Sequence, residues 1–122
     1  MASLRSFEEL NCWKACREVV RWVSAMKKTF PKEEKYDLIG NMKRASRSST
    51  RNIAEGFGRH HHRENVQFCR ISRGSLTELI DDLVTALEEG YLNERSYKEG
   101  RQKIESALQL LNGYIRYLES LL

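Results

Sequence analysis

The chain has 122 residues, of which 40% are hydrophobic and 31% charged, with one proline, seven glycines and a formal net charge of +4. That length suits one domain able to bury a core, and abundant Leu, Glu, Lys, Arg and Ala with so few turn residues exclude a strand-rich fold. No window approaches the roughly 18 apolar residues of a membrane span, and the start, Met-Ala-Ser-Leu-Arg-Ser, has no apolar core of signal-peptide length. Cys12, Cys16 and Cys69 form no paired framework, which suits a reducing compartment. The expectation is a cytoplasmic protein.

Residues 1 to 6 are expected to fray, and residues 7 to 122 to form a single domain. The first helix is predicted from about Phe7 to Phe30, with one apolar set at Leu10, Trp13, Cys16, Val20 and Val23 and a second at Cys12, Ala15, Val19, Trp22 and Met26. Thr29-Phe30-Pro31 breaks it. A second helix is predicted from Pro31 or Glu33 to Phe57, because proline fits a first turn and Glu33 and Glu34 suit its positive end. Gly58 is the expected left-handed cap. Leu38, Met42, Ala45, Ser49 and Ile53 carry the core spacing. Ser46 and Ser49 are small enough for a close helix crossing, while Ser48 and Thr50 should be more exposed.

Arg59-His60-His61-His62-Arg63 makes a second break, expected as a surface loop. A third helix is predicted from Arg63 to Glu89, with Gly74 and Ser75 marking another close crossing and Gly90 ending it. Asn93 is a good N-cap for a fourth helix from Glu94 onward. That helix carries two stripes. Tyr97, Ile104, Leu108, Leu111, Ile115 and Leu118 form one; Ala107, Leu110, Tyr114, Tyr117 and Leu121 form the other. The second stripe predicts a subunit interface, with Trp22 or Val19 contributing from the first helix. The connections are short, so the expected architecture is an all-α, antiparallel up-down-up-down four-helix bundle.

Charge is concentrated in one region. Between Asn41 and Arg73 lie Lys43, Arg44, Arg47, Arg51, Arg59, Arg63, Arg70 and Arg73, against only Glu55 and Glu64, so this segment is more positive than the whole chain. Lys43, Arg47 and Arg51 are four apart and share a helix face. Local charge of this kind is a footprint for a polyanion. A solvated basic face is the plainer reading of the same pattern. Glu55 is expected to pair with Arg51 or Arg59.

The motifs of catalysis are missing. There is no phosphate-binding glycine loop and no HExxH, and no paired Glu-x-x-His as in metal-carrying bundles. The three histidines are not spaced for a compact metal site, and Cys12 with Cys16 lacks the partners zinc requires. The expectation is a protein that is not an enzyme and uses no cofactor or metal. A metal-dependent nuclease built on His60, His61, His62 and Glu64 is the least favoured alternative.

Several phrases carry a family resemblance: Phe7-Glu-Glu-Leu10 before Trp13, Phe30-Pro-Lys-Glu-Glu-Lys-Tyr36, Arg51-Asn-Ile-Ala-Glu-Gly-Phe-Gly58, Gly74-Ser-Leu-Thr-Glu-Leu79 and Gly90-Tyr-Leu92. Together they resemble the four-helix-bundle proteins encoded in bacterial 23S rRNA intervening sequences. The resemblance implies an antiparallel bundle that assembles into a ring-shaped homo-oligomer, a pentamer. It also suggests a more distant relation to the accessory variability determinants, basic bundles that work with a reverse transcriptase in diversity-generating retroelements and bind nucleic acid. Arg47 and Arg51 are extra charge relative to that family pattern.

The leading expectation is therefore an oligomer that binds RNA, an RNA–DNA hybrid or duplex DNA through Lys43, Arg44, Arg47, Arg51, Arg59, Arg63, Arg70 and Arg73. Counterion release would drive binding, and shape or charge would be read rather than bases. Phe57 and Phe68, the only aromatics among these cations, are expected to be buried, which disfavours base stacking. The rival is a scaffold that docks an acidic protein partner on the same face.

Overall fold

The computed structural model describes residues 5–122. It contains four α-helices and, among the described residues, no strand: α1 (Asn11–Met26), α2 (Leu38–Gly58), α3 (His62–Glu88) and α4 (Glu94–Glu119). Each helix packs on two others, α1 on α2 and α4, and α3 on α2 and α4. The result is a closed four-helix bundle around one core.

The core follows the apolar spacing of the sequence. Val19 and Val23 of α1, Met42 and Ile53 of α2, Leu76, Leu79 and Leu83 of α3, and Ile104 and Leu111 of α4 are almost wholly removed from water. Burying side chains of this size contributes about 1.5–3 kcal/mol each before conformational entropy is charged against it. Trp22 is also buried. The expectation that Trp22 or Val19 faces a second subunit is therefore corrected: both serve the core of their own chain.

Two helix boundaries differ from expectation. α1 is shorter than predicted and is flanked by 3-10 turns at Phe7–Glu9 and Lys27–Thr29. Ser6 caps the first of these by accepting from the Glu8 N–H at 3.1 Å, and the Arg5 N–H donates to Glu9 Oε1 at 3.0 Å. Residues 1–4, part of the stretch expected to fray, lie outside the described residues. α2 starts at Leu38 rather than at Pro31 or Glu33. Pro31 is extended, with ψ 151°, and leads into a short 3-10 turn over Lys32–Glu34. The Glu34 carboxylate is then drawn away, accepting from the Tyr91 hydroxyl at 2.8 Å and from the Leu38 N–H at 3.3 Å. It satisfies the start of α2 from outside the helix instead of joining its first turn.

The α2–α3 connection also corrects an expectation. Gly58 is helical, and the left-handed residue is His60, with φ 54°. Between α3 and α4 the expectation holds: Gly90 has φ 79°, and Asn93 Oδ1 accepts from the Ser96 N–H at 2.8 Å.

Small side chains let α2 and α3 approach closely. Ser46 and Ser49 are buried, and Ser48 and Thr50 are more exposed, as expected. Ser72 Oγ donates to the Ser49 carbonyl at 2.8 Å, and the Ser48 and Ser75 hydroxyls lie 2.8 Å apart. At the far end Gly56 meets Asn65, where a Cβ on the glycine would stand 2.6 Å from Asn65 Oδ1. Gly74, also expected at a crossing, faces open space instead. None of the described helices is long and apolar enough to cross a membrane.

Candidate nucleic-acid interface

α2 buries Met42, Ala45, Ser46, Ser49 and Ile53, so its remaining side chains are divided between two flanks and an outer face. At 100° per residue, Lys43, Arg47, Arg51 and Arg44 sweep in that order across the outer face, from the α1 side to the α3 side. Arg44, Arg47 and Arg51 are exposed and Lys43 is half-buried. Like charges this close repel by a few tenths of a kcal/mol per pair. Nothing in the core requires them.

The eight basic residues singled out from the sequence fall into two groups. Lys43, Arg47, Arg51 and Arg63 make no ion pair with the described residues. The other four are engaged. Arg59 Nε pairs with Glu55 at 3.0 Å, and its guanidinium lies 5.1 Å from the centre of the Phe68 ring. Arg70 pairs with Glu119 of α4 at 2.8 Å, and Arg73 donates to Asn112 Oδ1 at 3.0 Å. Arg44 donates to Asn41 Oδ1. Phe57 and Phe68 are half-buried rather than buried, because both lie at the open end of the bundle beside Arg59 and His60.

The structure divides six of these cations between two grooves, and Arg59 and Arg63 line neither. Arg44, Arg51, Arg70 and Arg73 line a wide groove of about 1190 Å³ over α2 and α3. Glu78, Asp81 and Asp82 line the same groove, close enough to Arg44 for its charge to act on Asp82. Burial pushes the Asp82 carboxyl up to about 6, with Asp81 and Glu78 adding to the rise and Arg44 opposing it. The cationic part of this groove is therefore Arg51, Arg70 and Arg73, while Arg44 stands beside acids.

Lys43 and Arg47 instead open onto a narrower slot of about 210 Å³ between α1 and α2. Its other wall carries Arg17, Arg21 and Lys27. These three are not among the basic residues singled out from the sequence. Arg17 and Arg21 have the same i, i+4 spacing that singled out Lys43 and Arg47, and that was the signal available. Arg21 is paired with Glu18 on its own helix.

The histidines lie at the opposite end of α2. His60, His61 and His62 are all exposed; His62 opens α3. Among the described residues no three His, Cys, Asp or Glu side chains are grouped to hold a metal ion.

The family model described as "23S rRNA-intervening sequence protein" matches residues 8–113. A crystal structure at 1.70 Å of a protein with unknown function from the S23 ribosomal protein family of Bacteroides thetaiotaomicron is also similar. It superposes with a TM-score of 0.77 over 86% of this chain and 95% of that one, at 17% identity, a likeness that shows the fold alone. No curated protein matches the chain. The family match covers α1 to α3 and most of α4, and on that basis the chain belongs to the 23S rRNA-intervening sequence protein family.

Proposed function

We propose that this protein binds nucleic acid, RNA foremost, through the outer face of α2 and the adjoining first half of α3, and that its role is binding rather than catalysis. The observation that carries the reading is the row Lys43, Arg47 and Arg51, one turn apart with no ion pair of their own among the described residues. Such cations release condensed counterions when phosphates replace water around them. Arg63 extends the set at the start of α3. Arg44, which donates to Asn41 and lies near Asp82, is at the margin of the set.

We infer further that the helices run antiparallel, up-down-up-down, and that copies assemble into a ring, a pentamer in the resemblance. Cross-helix partners support the first point: Ser48 meets Ser75 and Gly56 meets Asn65, numbers rising on α2 as they fall on α3. The second rests on α4 and the turn after it, where Leu110, Tyr117 and Leu121 remain 44–50% exposed. Leu110 lies beside Trp13 and Ala15, so α1 would contribute those residues to the interface. A ring multiplies the cationic row and raises avidity with no new contact. Work beside a reverse transcriptase, as the relation to accessory variability determinants suggests, is one setting for such a surface.

One observation favours a second reading, a scaffold for an acidic protein. Ile71 is 52% exposed among the arginines of the wide groove, and a protein side chain would cover it where a phosphate would not. Titration of structured RNA, an RNA–DNA hybrid and duplex DNA at two salt concentrations, with oligomer mass recorded, separates the two. Tight, salt-sensitive binding that Arg47→Ala/Arg51→Ala loses at unchanged mass is expected. No binding at low salt would remove the nucleic-acid reading and leave the scaffold.

A further inference from the structure

The slot between α1 and α2 differs from the face just described. Arg17, Arg21 and Lys27 stand on one wall and Lys43 and Arg47 on the other, and no acidic side chain lines it. Its remaining lining is Val20, Val23, Ser24 and Ser46. Lys27 and Lys43 are half-buried. Five cations, from α1, the 3-10 turn after it and α2, repel one another around so small a space. The Arg21–Glu18 pair on the rim neutralises only one of them.

The dimensions restrict what could fill the slot. At about 210 Å³ it is smaller than the roughly 300–1,000 Å³ of pockets that enclose drug-sized ligands. No aromatic side chain lines it, so it offers nothing for a base to stack on. Three arginines and two lysines suit phosphate oxygens: Arg as a planar fork, Lys as a point charge. A diester backbone carries one charge per phosphate with a sugar between each, and spreads them along the strand. Five cations lining one small space match a denser anion.

We propose that this slot binds a polyphosphate group, two or three directly linked phosphates, with Arg17, Arg21, Lys27, Lys43 and Arg47 as its ligands. The group could come from a free nucleoside polyphosphate or from the 5′-triphosphate end of an RNA. The chemistry is the same in both. Nucleoside and chain would remain outside the slot. Only Lys43 and Arg47 are shared with the proposed nucleic-acid face, so the site can stand or fall separately from it.

The test is calorimetric titration of the full chain with inorganic tripolyphosphate and with orthophosphate at matched ionic strength. Tripolyphosphate should bind roughly tenfold or more tightly, because linked phosphates engage several cations at once. Arg17→Ala/Lys27→Ala should abolish that preference. Lys32→Ala/Lys35→Ala, with equal charge loss outside the slot, should retain it. Circular dichroism melting of each variant excludes unfolding as the cause. A 5′-triphosphate RNA that binds more tightly than its 5′-hydroxyl twin, with the difference lost in Arg17→Ala/Lys27→Ala, assigns the group to an RNA end. A nucleoside triphosphate as tight as tripolyphosphate, with the two RNAs equal, assigns it to free nucleotide. Equal weak binding of the two inorganic anions, or equal losses in both double variants, would overturn the site. If structured RNA still bound in that case, the face on α2 would stand without it; if tripolyphosphate bound and structured RNA did not, the slot would stand alone.

Discussion

Trp22 of α1 occupies the space that a side chain at Gly100 of α4 would need. A Cβ on Gly100 would lie 2.3 Å from the indole Cη2 and 2.5 Å from Cζ2. The indole is buried there, and its Nε1–H donates to Glu99 Oε1 at 3.1 Å, so both its ring and its polar edge are held by one turn of α4. Gly100→Ala forces the ring or the helix to move, which should cost about 2–3 kcal/mol, as overpacking in cores does. Gly74→Ala meets open space on α3 and should stabilise by up to about 1 kcal/mol through helix propensity. Urea denaturation of the two variants checks the opposite signs. Equal stabilities would mean that the Trp22–Gly100 contact is looser than described.

The three cysteines should be chemically silent in the folded protein. All are buried, and burial pushes the thiols of Cys12 and Cys69 up to about 12 and that of Cys16 up to about 11. Their closeness adds to the rise at Cys12 and Cys69, while the neighbouring Ser49 and Ser72 side chains oppose it at Cys16. The thiolate is the nucleophile, so little of it exists near neutral pH. An aromatic disulfide reagent at pH 8 should label all three only as fast as the chain unfolds, and at once in urea. Rapid labelling of the native protein would contradict the burial.

The helices and their core were legible because the 3-4 spacing of Met42, Ala45, Ser49 and Ile53, or of Ile104, Leu111 and Ile115, leaves few other ways to bury apolar surface. Gly90 and Asn93 were legible because their roles are local. The start of α2 was not, since Glu34 is claimed by Tyr91, far along the chain. The Gly100–Trp22 contact likewise joins two helices that no local pattern links. At the candidate site the charged residues could be chosen by spacing, but not sorted. Arg70 is held by Glu119, and Lys43 shares a slot with Arg17, because of how neighbouring helices are placed.

Asp82 should make the bundle pH-sensitive. Its carboxyl is raised from 3.8 to about 6, so the folded chain holds that proton more tightly than the unfolded one. The associated stability is fully present below pH 3.8 and is lost as pH rises through 6. Asp82→Asn removes the penalty. It should stabilise by about 1 kcal/mol at neutral pH, less than the full shift implies because the side chain is partly solvated. Near pH 4 the gain should shrink sharply. Paired urea titrations at the two pH values read the difference, and a gain that did not depend on pH would place its cause in packing.

The pairing of the arginines ranks their contributions to nucleic-acid binding. Arg47 and Arg51 have no ion pair to give up, so each substitution by alanine should reduce the slope of log affinity against log salt by about 1. Arg59→Ala should change it far less, because Glu55 already neutralises that guanidinium and Phe68 covers one face. The converse variant is more telling. Glu55→Gln removes an acid from the exposed side of α2 and frees Arg59, so it should tighten binding and steepen the salt slope. Exposed pairs of this kind are weak, so stability should move by less than about 1 kcal/mol. If Arg59→Ala weakened binding as much as Arg51→Ala, and Glu55→Gln changed nothing, the phosphate track would run past the α2–α3 turn and not along the row from Lys43 to Arg51.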